Sequence, residues 1–362
     1  MARYHSFRDL DWPLLIITLI ICALGILQIY SATRDTHFTE AWWKQGVWIL
    51  AGFVALWIGT LIDYHTLLGQ VPLLYTVSLG ALLTTVAIGR LVFGSRRWIR
   101  IFGFNFQISE FVKIVIVLVV ARYLSELKSE DVSTRDLLKI GGLVGIPTAL
   151  VMYQPDLGTG LTYLPILAVG ILLAGIRWQL LATIGLACAL VMPVGWYFLK
   201  DYQKARLVTF LDPSRDPRGT GYQVIQSKIA VGHGGIWGEG VTQGTQTQLR
   251  FLPVPHTDFI FSAFAEEHGF VGVVVVMGLY FLLLMQIVQN AQTAPDRAGM
   301  YICMGVGALL LFHMLVNVGM VVGRMPVTGI PLPFMSAGGS NLWSNFLALG
   351  LVNNVRLRRF VN

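Results

Sequence analysis

Long apolar runs with few charges dominate the chain and set its architecture before any motif is considered. They recur near residues 11–32, 43–62, 67–89, 108–127, 137–153, 159–175 and 178–199, and again near 259–290, 299–322 and 336–355. Each is close to the ~20 residues that carry an α-helix across the hydrocarbon of a bilayer. The runs lack period-2 alternation, so a closed barrel does not fit, and backbone hydrogen bonding inside a membrane then requires helices. The pattern predicts an all-α polytopic membrane protein of about ten transmembrane helices. It forms a single membrane domain over residues 1–362, with no internal repeat and no soluble domain at either end. The first run, from about Trp12 to Tyr30, is longer than a signal-peptide core and reads as a retained span.

The seventh and eighth runs are separated by a polar interval, residues 200–257. Loops of this length are functional or disordered. Here Tyr202, Phe210, Tyr222, Ile225, Ile229, Trp237, Leu249 and Phe251 supply the apolar contacts of an ordered cap. Composition agrees with a membrane setting: 55% of residues are apolar and 12% charged, against about a quarter charged in soluble domains. Cys22, Cys188 and Cys303 each lie inside an apolar run, which suits small buried hydrophobes better than a disulfide framework or a zinc site.

Lysine and arginine counts in the short loops orient the chain. Arg3 and Arg8 precede the first span, and Arg356, Arg358 and Arg359 follow the last. Lys128, Arg135, Lys139, Arg177 and Arg297 fall on the same side. This predicts an inner-membrane protein with both termini cytoplasmic and the 200–257 loop extracytoplasmic. Arg90, Arg96, Arg97 and Arg100 then cluster on the outer side, against the rule, which points to an outer-leaflet anion. The loop adds Lys200, Lys204, Arg206, Arg215, Arg218, Lys228 and Arg250. The whole chain carries +7, and the net basic surface that this loop turns to the cell exterior favours a phosphate-bearing lipid over nucleic acid.

Ionisable groups inside spans are candidates for function. Glu110 and Lys113 are three apart at the start of the fourth span and share a helix face, as a structural ion pair or as substrate contacts. Asp156 sits in Gln154-Pro155-Asp156-Leu157-Gly158-Thr159, a helix break that is either structural or substrate-facing. Asp258 follows two prolines at the entrance of the eighth span, where Thr257 or Asp258 caps the helix or Asp258 stands ready as a base. Glu266 and Glu267, two turns deeper, read as buried hydrogen-bonding groups. The glycines of 232–240 are tight turns or, less simply, a phosphate cradle. Gly323 to Pro333 and Ser336 to Ser340 form a Pro/Gly segment that requires protein or a polar cavity around it.

These segments in order resemble the SEDS (shape, elongation, division and sporulation) family over residues 11–359. Arg97-Trp98-Ile99, Gln107-Ile108-Ser109-Glu110 with Lys113, and Gln154 to Thr159 match. So do Asp212-Pro213, Gly221-Tyr222-Gln223, Gln226 to Ala230, His256 to Phe261, Glu266-Glu267 and Gly329 to Ser340. Gly244-Thr245-Gln246 and Gly329 to Pro333 resemble the RodA-type, elongation branch more than the FtsW-type, division branch. The chain departs from the family pattern at Ile108, His233, Val254 and Ala337.

The resemblance implies a peptidoglycan glycosyltransferase that polymerises lipid II, with the family's essential aspartate falling on Asp258. The implied substrate-binding set is Arg97, Glu110, Lys113, Asp156, Arg206, Arg218 and Ser336, with Arg97, Lys113, Arg206 and Arg218 as pyrophosphate partners. A divalent cation, Mg²⁺ or Mn²⁺, is an expected cofactor, with Asp258 as its ligand if it is not the base. The expected partners are lipid II, the membrane and a class B penicillin-binding protein transpeptidase. A lipid II flippase or a non-catalytic cell-wall scaffold are the alternatives.

Overall fold

The computed structural model describes residues 9–92, 95–101, 104–127, 131–199, 201–216 and 219–359. Its helices are α1 (Trp12–Thr33), α2 (Ala41–Leu61), α3 (Tyr64–Gly69), α4 (Val71–Ile88), α5 (Ile108–Ser125), α6 (Thr134–Tyr153), α7 (Leu157–Leu161), α8 (Tyr163–Ala174) and α9 (Trp178–Phe198). They continue with α10 (Asp201–Leu211), α11 (Thr220–His233), α12 (Thr245–Gln248), α13 (Ile260–Gln292), α14 (Arg297–Val321) and α15 (Gly339–Arg358). Helix occupies every apolar run read from the sequence, with the sixth divided into α7 and α8. Among the described residues, seven helical stretches are long and apolar enough to cross a membrane: α1, α2, α4, α6, α7–α8 taken together, α13 and α14. The chain is a membrane protein.

The helix starts follow ordinary capping chemistry. Asp11 Oδ1 accepts from Leu14 N at 3.2 Å, and Asp296 Oδ1 from Gly299 N at 2.7 Å, each satisfying an orphan amide of a first turn. In the interior, small residues let backbones meet. A Cβ on Gly350 would lie 2.4 Å from Leu56 O, and one on Gly52 would strike the Phe346 ring, so α2 and α15 pack at a distance only glycine permits. Asn354 Nδ2 then binds the carbonyls of Gly59, Thr60 and Ile62, closing the end of α2. Helix α14 is the most enclosed of the seven stretches. Cys22 and Cys303 are free and buried in the core, while the side chain of Cys188 lies outside the described residues.

Two features went unread in the sequence. Strands β1 (Arg90–Val92), β2 (Ser95–Ile101) and β3 (Phe104–Phe106) form an antiparallel meander. Trp98 pairs with Arg90, and Arg100 with Asn105. The second feature is a break in α13, whose 33 residues span about 50 Å at 1.5 Å each. Gly269 adopts φ 62°, ψ −165°. The carbonyls of Glu266 and Glu267 are released there and accept from Glu239 N and Gly240 N, both at 3.0 Å. In return, Phe270 N donates to Gly235 O at 2.9 Å and Val271 N to Ile236 O at 3.1 Å.

The glycine-rich turn therefore substitutes for lost helix hydrogen bonds and does not cradle phosphate. A Cβ on Gly234 would lie 2.1 Å from Ala265 O, and one on Gly238 2.2 Å from Glu267 O. Glu266 binds Thr247 Oγ1 at 2.7 Å and the amides of Gln246 and Thr247. Glu267 binds Ser31 Oγ and Gln28 Nε2. As the sequence suggested, both carboxylates are structural, and they clamp the cap onto α13 and α1.

Candidate active site

A cavity of about 1350 Å³ opens at one end of the bundle. It is bounded by the loop after α1, by β2, by the first turns of α5, α7 and α15, by the cap, and by the segments preceding α13 and α15. Its walls carry Arg97, Glu110, Asp156, Arg206, Arg250 and Asp258. Drug-sized ligands occupy roughly 300–1,000 Å³, so this space suits a larger substrate.

Asp258 precedes α13, outside the helical spans, and it is half-buried. Burial pushes its carboxyl above the usual carboxylate range, and the nearby Arg97 and Arg206 guanidiniums pull it back toward ionisation. Its Oδ2 would lie 3.3 Å from a Cβ on Gly329, whose φ is +72°. Glycine there lets the 328–333 wall close onto the carboxylate.

The backbone carrying Asp258 is held at three successive carbonyls. His256 O accepts from Ala337 N at 3.0 Å, Thr257 O from Ser336 Oγ at 2.8 Å, and Asp258 O from Asn317 Nδ2 at 3.0 Å. Asn317 Nδ2 also donates to Ile330 O at 2.8 Å, tying Asp258 to the facing wall. Ser336 Oγ accepts from Leu332 N at 2.9 Å. Ser336 is buried and does not line the cavity, so its placement is that of a backbone anchor rather than the substrate contact read from the sequence.

Arg97 comes from β2, which packs on α4 and α5, and its side chain reaches Asp156 at the start of α7. Its Nη1 lies 3.1 Å from Asp156 Oδ1, and its buried Nε has no protein partner. Asp156 is only 3% exposed. Its Oδ2 accepts from Gln107 Nε2 at 2.7 Å and its Oδ1 from Thr159 N at 3.4 Å, the cap of α7. Thr328 Oγ1, on the cavity wall, is likewise buried without a partner, and Thr328 O accepts from Arg206 Nη1 at 3.4 Å. Arg97, Arg206 and Asp258 are thus brought together, with Asp156 beneath them.

Glu110 and Lys113 lie deeper. Lys113 is fully buried and does not line the cavity. Its Nζ donates to Glu110 Oε2 at 2.7 Å and approaches His313 Nε2 at 3.2 Å. Because Pro331 O, 3.1 Å from His313 Nδ1, only accepts, Nδ1 carries the ring proton and Nε2 is left to accept from Lys113. Asn341 Nδ2 donates to Glu110 Oε2 at 2.7 Å. The pair therefore locks α5 to α14 and α15. Lys113 is removed from the pyrophosphate-contacting set expected from sequence, because its ammonium is consumed in that lock. Arg218 lies outside the described residues. From the sequence, Gln107 and Thr328 stood only within motif segments and were given no role, and His313 and Asn317 were not singled out at all. Three of them are uncharged, and His313 sits in an apolar run with nothing local to mark it.

A family model described as cell cycle protein (FtsW, RodA, SpoVE) matches residues 12–359. The peptidoglycan glycosyltransferase RodA of Treponema pallidum (strain Nichols) is 34% identical, covering 99% of this chain and all of that protein. The peptidoglycan glycosyltransferase MrdB of Escherichia coli (strain K12) is 38% identical over 97% of this chain and 94% of its own. Among solved structures, a chain from a study of how a peptidoglycan synthase complex coordinates polymerization and crosslinking superposes with a TM-score of 0.84. It has 34% identity and covers 98% of this chain and 99% of its own. The rod shape determining protein RodA of Thermus thermophilus gives a TM-score of 0.73 at 28% identity, over 97% of this chain and 98% of its own.

Proposed function

The chain belongs to the FtsW/RodA/SpoVE family of cell cycle proteins, and we infer from this that it is a peptidoglycan glycosyltransferase that maintains cell shape. The substrate is lipid II, polymerised at the cavity floored by Asp258. One observation carries the assignment of the chemistry: Asp258 faces the cavity with Arg97 and Arg206 as its neighbouring cations.

Glycan extension joins the 4-hydroxyl oxygen of one sugar to the anomeric carbon of another while the bond from that carbon to the lipid pyrophosphate breaks. Asp258 accepts the hydroxyl proton, a contribution of typically 10²–10⁴-fold for a positioned base. The pyrophosphate departs with added negative charge, and fixed cations at that point lower the barrier. Arg97 and Arg206, both on the cavity wall, offer their guanidiniums. Asp156 holds Arg97 rather than meeting the anion, since two carboxylate oxygens facing pyrophosphate would repel it.

Among the described residues, no group of three or more His, Cys, Asp or Glu converges as a metal site. A Mg²⁺ or Mn²⁺ ion would be held by one protein carboxylate together with substrate phosphates, and Asp258 would be that carboxylate in place of serving as the base. The ion would supply charge to the departing pyrophosphate.

The helix ends that line the cavity are the C-terminus of α1 and the N-termini of α5, α7, α13 and α15. With Arg356, Arg358 and Arg359 at the opposite end, this supports a protein of the inner membrane whose termini are cytoplasmic and whose cavity faces outward. Likeness to a chain of a peptidoglycan synthase complex supports a class B penicillin-binding protein as the transpeptidase partner.

The test is glycan polymerisation from purified lipid II by wild type and Asp258→Asn, each with and without the transpeptidase and divalent cation. Polymer from wild type alone is the expected result. Folded wild-type protein that binds lipid II and makes no polymer under any of these conditions would overturn it in favour of lipid transport.

A further inference from the structure

We propose that Asn317 and Ser336 are positioning residues for Asp258, acting through the peptide backbone rather than through substrate. The proposal rests on the assignment of Asp258 as the reacting carboxylate. A carboxylate in a loop before a helix has no rigid scaffold of its own, and catalytic geometry must be held to within about half an ångström. Here the scaffold is supplied from two elements distant in sequence. Ser336 Oγ and Asn317 Nδ2 grip the consecutive carbonyls Thr257 O and Asp258 O at 2.8 and 3.0 Å.

Both side chains bind the facing wall as well. Ser336 Oγ accepts from Leu332 N at 2.9 Å, and Asn317 Nδ2 donates to Ile330 O at 2.8 Å. Each is therefore a bridge between the segment bearing Asp258 and the segment bearing Thr328 and Gly329. The gap between base and cavity wall is set by these bridges, and neither residue lines the cavity itself. His313, one turn before Asn317 on α14, fastens Pro331 O through Nδ1 at 3.1 Å. The wall is thus pinned independently of Asp258, so loss of either bridge frees the carboxylate while the wall stays in place. The two carbonyls are taken by these side chains, and neither Ser336 nor Asn317 lines the cavity, which predicts a defect in turnover rather than in binding.

The experiment measures kcat and KM for lipid II on the full-length chain with its transpeptidase, beside Asp258→Asn. Asn317→Leu keeps the side-chain shape and removes the donating amide without burying a charge. Ser336→Ala removes the hydroxyl, and Ser336→Thr retains it. Asn317→Leu and Ser336→Ala are expected to lower kcat at least ten-fold, with KM within about two-fold of wild type and the thermal midpoint lowered only by the modest amount that lost hydrogen bonds cost. Ser336→Thr restores most of kcat. If Ser336→Ala or Asn317→Leu does not fold, Ser336→Cys, of similar size and with a weak donor, carries the test through an intermediate kcat at unchanged midpoint. Unchanged kcat in the folded variants, or kcat and KM falling off together with stability, overturns the positioning role and leaves Asp258 standing. Inactive wild type overturns both.

Discussion

Arg97 Nη1 stands 3.1 Å from Asp156 Oδ1, joining a strand of the meander to the cap of α7. The geometry divides the guanidinium in two. One part is neutralised by a buried carboxylate, and the rest of the side chain lines the cavity. Asp156 is itself secured by Gln107 at 2.7 Å, so the arginine is aimed by a carboxylate that is aimed in turn.

Arg97→Ala should accordingly weaken use of lipid II. Loss of a charge-assisted hydrogen bond to phosphate, worth roughly 1.5–3 kcal/mol, corresponds to about a ten-fold or larger rise in KM. Arg97→Lys should not restore it, because a single ammonium cannot serve Asp156 and the anion with the same two-edged geometry. Steady-state polymerisation at varied lipid II concentration checks this, and an unchanged dependence on lipid II would remove Arg97 from the site.

Lys113→Met should be poorly folded, because it strands the buried Glu110 carboxylate. Breaking one partner of a buried pair costs about 3–5 kcal/mol. The double variant Glu110→Gln with Lys113→Met removes both charges and should recover much of that loss. Thermal unfolding in detergent distinguishes this lock from a substrate contact. A stable but inactive Lys113→Met would return Lys113 to the binding set.

The helices were legible because a bilayer leaves the backbone no alternative, so ~20 apolar residues suffice as a signal. Asp258, Arg97 and Arg206 were candidates because charge near a membrane stands out against an apolar background, and the family resemblance then set Asp258 apart from a plain helix cap. The meander was not, since β1 and β3 have only three residues each and their pairing is a tertiary fact. Ser336 was assigned to substrate on its motif, whereas its hydroxyl is taken by Leu332 N and Thr257 O. Partners 79 residues apart in the chain leave no trace in local pattern. Lys113 shows the same limit: its spacing from Glu110 predicted a shared helix face, but His313, which removes it from the cavity, is 200 residues away.

Gly238→Ala should loosen the cap. The position has φ +83°, and a Cβ would stand 2.2 Å from Glu267 O, a backbone atom that cannot swing aside. Left-handed backbone alone costs about 1–2 kcal/mol for a residue with a side chain, and the clash adds to it. The expected outcome is faster proteolysis within residues 235–250 and a lower thermal midpoint. Gly232→Ala, where a Cβ meets nothing within 4 Å, should match wild type in both measurements.

The pH dependence of turnover should report Asp258 and its two arginines. Only the ionised carboxylate accepts a proton, so kcat falls as pH drops through its pKa. Burial places that pKa above the usual carboxylate range, while Arg97 and then Arg206 pull it down. Removing either cation withdraws a stabiliser of the charged form, and the acid limb must then move to higher pH. Arg206→Gln is the cleaner variant, because it leaves the Arg97–Asp156 pair intact. Arg97→Gln should shift the limb further, since Arg97 is the stronger influence of the two. Profiles of kcat at saturating lipid II separate this from the loss of affinity predicted for Arg97. A limb that stays fixed in both variants, or moves to lower pH, would mean that the titrating group is not Asp258.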